Sequence, residues 1–326
     1  MNYDAYKRFC RELLASERGS KLVRLDCMNH AKALSALAPK LPEAPPVRDE
    51  GDLEHAWRET FHLPRRESGA NTRLLLGRGV RELLRVLFQH FAREGRLLHA
   101  PADVYPVYHA LAAAAGLPVL PFPTCPSPTL PPSQHPSIAP EVLLLPEPLM
   151  PLGRFLSETE LRALEAWLGA DSRRLVVLDT VYTFATRFSA ATERLLHTGQ
   201  ALLLHSLAKG HLSPDLAGFG LVPERLAADL EAACEPPLDA TALRQACFLL
   251  ERHPELPTRV QTHFDEQWAR VRNVLGTPPF DIPRTGYFST SALGFEALLE
   301  RGWLAVPGSV FGPEEARWSV VTCLLG

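Results

Sequence analysis

Lys209 is the single lysine in the last 286 residues of this chain. The other four, Lys7, Lys21, Lys32 and Lys40, lie within the first 40, and arginine serves elsewhere as the long cation. A guanidinium stays protonated, whereas a partly buried amine can lose its proton and attack a carbonyl carbon. The run Ala201-Leu202-Leu203-Leu204-His205-Ser206 ahead of it reads as a buried strand that ends in polar residues. A second run, Leu175-Val176-Val177-Leu178, stops at Asp179, with Tyr182 three residues on. In an open parallel sheet, reactive groups gather just beyond the carboxyl ends of the strands. An amine, a carboxylate and a phenol are therefore expected side by side.

That trio has a specific chemistry. A buried carboxylate keeps a pyridine nitrogen protonated and makes the ring an electron sink, a phenol donates to a ring oxygen, and a lysine forms a Schiff base with an aldehyde. Ser206 can offer its hydroxyl to a phosphate. Gly79-Val80-Arg81, at the start of an expected helix, offers backbone N–H groups to the same anion. The set matches pyridoxal 5′-phosphate (PLP). Taken singly, each residue has a plainer explanation: Asp179 as a turn or helix cap, Tyr182 and Tyr108 as core, and His205 and His211 as packing residues.

The elements that must hold these groups alternate. Leu74–Leu76, Pro118–Pro121, Val142–Leu145, Leu175–Leu178 and Ala201–Leu204 read as short strands. Tyr3–Ala15, Arg81–Arg93 and Tyr105–Ala115 read as helices, and Ser157 with Glu160 three residues on is a capping box that opens another. Residues 121–140 are proline-rich and read as a loop. Continuous apolar strands between helices predict an α/β fold with a doubly wound, mostly parallel sheet and helices on both faces. Past Pro223 the pattern turns helical, over Glu224–Ala233 and Asp239–Val274. The chain finishes with Gly286–Ser289, a helix near Gly294–Arg301 and an apolar run over Val320–Leu325, which predicts a smaller α+β domain. The expected division is an N-terminal arm that also contributes to the small domain (1–50), a cofactor-binding large domain (51–228) and a C-terminal small domain (229–326).

The order and spacing of five segments resemble the class I/II aminotransferases of fold-type I. His99–Tyr108 looks like the segment whose aromatic covers the PLP ring, which implies Tyr105 in that role. Pro148-Leu149-Met150-Pro151-Leu152-Gly153 looks like the Asn-Pro-Thr-Gly turn. Leu178–Tyr182 is similar to Asp-Glu-x-Tyr, and Ser206–Lys209 to Ser-x-Ser-Lys. Val306–Gly312 followed by Arg317 resembles a Pro-Gly-Ser-x-Phe-Gly segment and the arginine that clamps a substrate carboxylate. The resemblance spans Gly77 to Arg317. It implies an aminotransferase that moves an amino group between an amino acid, or an amino-bearing metabolite, and a keto acid. Lys209 would be the Schiff-base lysine, with Asp179 on the pyridinium, Tyr182 on the 3-oxygen and Met150 and Arg317 on the substrate. It also implies a homodimer.

Two positions depart from the pattern. Met150 stands where the family usually has asparagine, and Ala217 where it usually has a phosphate-holding arginine; Arg81 and His211 are the candidate substitutes. These departures leave two alternatives: a PLP-dependent decarboxylase, lyase or cyclase of specialised biosynthesis, or a non-catalytic degenerate homologue.

Composition narrows the class further. A 326-residue chain can bury a large core, and a net charge of −3 gives no footprint for nucleic acid or an anionic membrane. No apolar run is long enough to cross a bilayer, and Met1–Arg8 has no signal-peptide core. Cys10, Cys27, Cys125, Cys234, Cys247 and Cys323 show no metal-ligand spacing, so they are read as reduced thiols of a cytoplasmic protein with no metal site.

Overall fold

The computed structural model describes residues 2–43, 45–64, 72–104, 106–132, 138–214, 216–234, 238–276, 278–312 and 316–324. The N-terminal part carries α1 (Tyr3–Leu14), β1 (Val23–Arg24), α2 (His30–Ala33) and α3 (Glu50–Thr60). Next come β2 (Thr72–Gly77), α4 (Val80–Arg93), β3 (Leu97–Pro101), α5 (Val107–Ala115), β4 (Val119–Phe122), β5 (Glu141–Pro146) and α6 (Glu158–Gly169). They are followed by β6 (Leu175–Asp179), α7 (Ala190–His197), β7 (Ala201–Ser206), α8 (Leu207–Gly210), β8 (Gly218–Pro223) and α9 (Glu224–Glu231). The C-terminal part holds α10 (Ala240–Arg252), α11 (Leu256–Leu275), β9 (Phe288–Ser291), α12 (Phe295–Glu300), β10 (Trp303–Leu304), β11 (Val306–Pro307) and β12 (Ser319–Thr322).

Seven strands form one sheet in the order β2-β8-β7-β6-β5-β3-β4. The run from β7 to β4 is parallel throughout, while β8 is antiparallel to both of its neighbours. Side chains alternate across a strand, and both faces here are covered. Val142 and Leu144 of β5 face the layer of α4, α5 and α9, whereas Leu143 and Leu145 face α6 and α7. Every residue of β5, β6, β7 and β8 is buried, which is why β5, β6 and β7 read as apolar runs without alternation. The expected α/β architecture with a mostly parallel sheet is what the chain adopts.

Strand β8 escaped the sequence reading because Gly218 and Gly220 interrupt its apolar pattern. Gly218 is required by packing: a Cβ there would lie 2.6 Å from the backbone of Gly79. The single helix expected over Asp239–Val274 is two helices, parted at His253-Pro254-Glu255, because a proline disfavours helical geometry in the residue before it. The two halves pack on different layers. Leu243, Ala246 and Leu250 of α10 join Leu53 and Trp57 of α3 against Phe219 and Leu221 of β8. Val260, Phe264 and Trp268 of α11 join the C-terminal unit instead. So α10 lies beyond the division expected at residue 228, yet packs with the large sheet.

The C-terminal unit holds an antiparallel sheet of order β11-β12-β9. The N-terminal arm belongs to the same packing unit: β1 pairs in parallel with β10, and the buried Tyr6 hydroxyl donates to the Ala305 carbonyl at 2.9 Å. Among the described residues no helix is long and apolar enough to cross a membrane.

Candidate active site

The carboxyl ends of the parallel strands open into a cavity of about 690 Å³. Asp179 ends β6, Ser206 ends β7, and Lys209 sits in the single turn of α8 that follows. All three line the cavity together with Tyr182. The apolar core beneath fixes their height: Leu178 and Leu204 are fully or almost fully buried, and Asp179 pairs in register with Leu204. Thr180 ties the two strand ends by donating its backbone N–H and its hydroxyl to the Leu204 carbonyl, at 2.8 and 2.7 Å.

Asp179 is only 4% exposed. Its Oδ2 accepts the Tyr108 hydroxyl at 2.7 Å, and its Oδ1 accepts the Val181 N–H at 3.1 Å. Burial raises its pKa above the usual carboxylate range, against the opposing pull of these two donors and of Lys209. The Tyr108 phenol is raised well above its ordinary value, first by burial and then by the adjacent carboxylate. Lys209 is half-buried, with its Nζ 5.3 Å from the centroid of the Tyr182 ring. Gly210 beside it is held by space, since a Cβ would sit 3.1 Å from the Thr183 carbonyl and 3.2 Å from Pro257.

The other end of the cavity is the turn into α4. Gly79 is the N-cap residue, with φ of +151°, no side-chain cap and no atom within 4 Å of where a Cβ would stand. Arg78, Val80, Arg81 and Glu82 line the cavity there, as does Ala217. Ser206 is 2% exposed, and its hydroxyl makes no hydrogen bond among the described residues.

No protein-family model matches the chain, and no curated protein matches its sequence. Solved structures do match. YbdL of Escherichia coli, described as having a methionine aminotransferase function, superposes with a TM-score of 0.71 and 16% identity, over 99% of this chain and 92% of that one. The aminotransferase AspB of Helicobacter pylori gives 0.71 and 18% over 98% and 93%. A probable N-succinyldiaminopimelate aminotransferase of Thermus thermophilus gives 0.69 and 20% over 99% and 94%. The chain has the fold-type I aminotransferase fold.

Within that fold the residues singled out from sequence divide into three groups. Lys209, Asp179, Tyr182, Ser206, Gly79, Val80, Arg81 and Met150 line the one cavity. Tyr105 lies outside the described residues. Arg317 is exposed and lines a separate depression with Phe295 and Trp318, so the structure does not bring it to the cavity. His211 cannot supply a missing cation: it is fully buried, does not line the cavity, and burial pushes its pKa down to about 3. His205 is likewise a packing residue, neutral in a box of Phe61, Phe188 and Phe219, with its Nδ1 accepting the Trp57 N–H at 3.2 Å.

Sequence reasoning missed seven residues of the cavity wall. Tyr108 was read as core, and nothing local links it to a carboxylate 71 residues away. Arg78 and Glu82 were passed over, although an acidic residue in the first turn of a helix is a legible signal for the helix start. Tyr3 and Met28 bring the N-terminal arm to the cavity wall, and Phe288 and Phe311 bring the C-terminal unit.

Proposed function

We propose that the protein is a PLP-dependent aminotransferase that moves an amino group between an amino acid, or amino-bearing metabolite, and a keto acid, with Lys209 as the residue that binds the cofactor. The observation that carries this reading is the placement of a buried carboxylate at the end of β6 and a half-buried amine in the turn after the adjacent parallel strand β7, both lining one cavity together with the Tyr182 phenol. The donor set fits the cofactor. Ser206 has an unused buried hydroxyl, and Gly79 leaves open space where an anion could approach the start of α4.

When bound, PLP supplies an aldehyde carbon and an electron-withdrawing ring. Asp179 would hold a proton on the ring nitrogen. Its elevated pKa says that the bare carboxylate is poorly solvated, so a cationic N–H partner would relieve it. Tyr108 keeps that carboxylate aimed into the cavity. The Tyr182 hydroxyl would face the ring oxygen. Lys209 would hold the cofactor and, as a free amine, would carry the proton removed from the substrate Cα. Pro146, Met150, Pro151, Phe288 and Phe311 give the cavity an apolar wall that excludes water. On the same reading the protein is a cytoplasmic homodimer, supported by its six free cysteines and by the resemblance of its motifs.

Two observations favour a second reading on the same fold, that of a decarboxylase, lyase or cyclase: Arg317 lines a separate depression, and Met150 lines the cavity where an amide would be usual. A single experiment separates the two. Purified protein mixed with PLP should develop a visible absorbance band that Lys209→Ala abolishes, and hydride reduction should fix the added mass on Lys209. An amino donor should then bleach the band until a keto acid is supplied. Spontaneous return of the band with donor alone would favour the second reading, and a protein that stays colourless would sink both.

A further inference from the structure

The cavity is bounded by two unlike surfaces. Its α4 side carries Arg78 and Arg81, which with Lys209 are the cations that line it among the described residues. The other surface is apolar: Tyr3 and Met28 from the N-terminal arm, Met150 from the turn after β5, and Phe288 and Phe311 from the C-terminal unit. These five belong to one packed cluster, in which Met150 and Phe288 are buried and the other three pack against the core. Tyr3, Met28 and Phe311 are only partly buried, so they present apolar surface to the cavity and do not merely complete the interior.

This wall stands close to the reactive amine. Tyr182 packs against the same cluster, edge-on to Phe288 with ring centroids 6.0 Å apart, and the Lys209 Nζ lies 5.3 Å from the Tyr182 centroid. A charged group set against such a wall loses its water and gains no partner. Two cations that could have met an acid there do not line the cavity. Arg317 lines the separate depression, and Lys7, whose Nζ stands 4.0 Å from the Tyr3 centroid, is exposed outside it.

We infer that the amino substrate carries an uncharged, apolar side chain, and that this side chain lies on the wall of Tyr3, Met28, Met150, Phe288 and Phe311. Buried apolar area supplies its affinity, and the absence of water on the wall rejects acidic and basic side chains. Met28 and Met150 are unbranched and polarizable, so they adapt to chains of different shape. The arm thereby becomes a specificity element, since it brings two of the five residues. This inference rests on the PLP reading of the cavity and selects, within it, the class of amino donor.

The test uses wild-type protein loaded with PLP and titrated with alanine, 2-aminobutyrate, norvaline and norleucine. The change that each donor causes in the visible band, lasting or transient, gives an apparent affinity. That affinity should rise about fourfold with each added methylene, the worth of one buried CH₂ expressed as a ratio. Glutamate and lysine, of similar length, should bind at least about a hundredfold more weakly than norleucine. Met28→Arg, its fold checked by circular dichroism, should flatten the series and improve glutamate about tenfold, because it places a cation on the wall. A series that does not rise with chain length overturns the inference, as does glutamate or lysine matching norleucine, or a band that none of the donors disturbs. A folded Met28→Arg that keeps the wild-type order overturns it too. If no band forms with PLP at all, it is the PLP reading that has failed, and this inference falls with it.

Discussion

Two acidic residues stand at neighbouring strand ends, Asp179 closing β6 and Glu147 just after β5, and the same sheet gives them different surroundings. They are joined through the backbone, the Glu147 N–H donating to the Asp179 carbonyl at 3.0 Å. Both side chains are almost fully buried, and burial raises both pKa values. Asp179 opens onto the cavity. Glu147 points the other way and is enclosed, accepting the Ser189 hydroxyl at 2.8 Å and the Leu156 N–H at 3.2 Å. Two hydrogen bonds therefore do not make a carboxylate functional. What separates the pair is exposure to a volume that a ligand can enter.

Five substitutions press on that contrast. Lys209→Ala should have the largest effect, because it removes the amine that lines the cavity with Asp179: the visible band with PLP and all amino transfer should fall to background, measured by spectrum and by coupled assay. Asp179→Ala should leave the band but cut kcat by about a hundredfold or more, as loss of a preorganised charge usually does. The same substitution at Glu147, away from the cavity, should not. If Glu147→Ala, once shown to be folded, proved equally damaging to kcat, the distinction between the two acids would be lost.

Glu147→Gln sharpens the comparison on the stability side. Folding raises the Glu147 pKa to about 7, from the ordinary carboxylate value. A raised pKa means that the protonated form is favoured in the fold, so its contribution is complete below the ordinary carboxylate range and is lost as pH rises towards about 7. The loss is on the order of 3 kcal/mol at neutral pH. Glutamine keeps the shape and has no charge to bury, so denaturation at a series of pH values should show a flatter profile across that window. A profile identical to wild type would mean that Glu147 is solvated as well as an exposed acid. The smallest of these effects is expected from Tyr108→Phe, which removes one hydrogen bond to a charged group, worth about 1.5–3 kcal/mol in such settings. It should lower kcat less than Asp179→Ala does and change the pH dependence of the bound cofactor's spectrum, a readout that simple loosening of the core would not move.

The sequence was most legible where burial was most complete. β5, β6 and β7 stand out because both faces are covered, and α6 announces itself through Ser157 and Glu160, whose capping box is formed. Lys209, Asp179 and Ser206 could be placed in one cavity because strand ends in a parallel sheet lie side by side. Legibility failed where one residue serves a distant neighbour. Gly218 looks like a strand breaker until the backbone of Gly79 is seen against it. Tyr108 looks like core until Asp179 arrives from another strand, and the depression that Arg317 lines is not visible in its motif. Pro254 was a readable break in the helical run, but the change of packing layer it introduces depends on tertiary contacts that no local pattern encodes.

The close approach of Gly218 to Gly79 has a consequence for ligand size. The strand that follows the lysine leans directly on the turn into α4, with no side chain between, so the distance between these two stretches of main chain does not change with rotamers. A longer or shorter ligand has to be met by the Lys209 side chain, and a methyl at position 218 would have to push the two backbones apart.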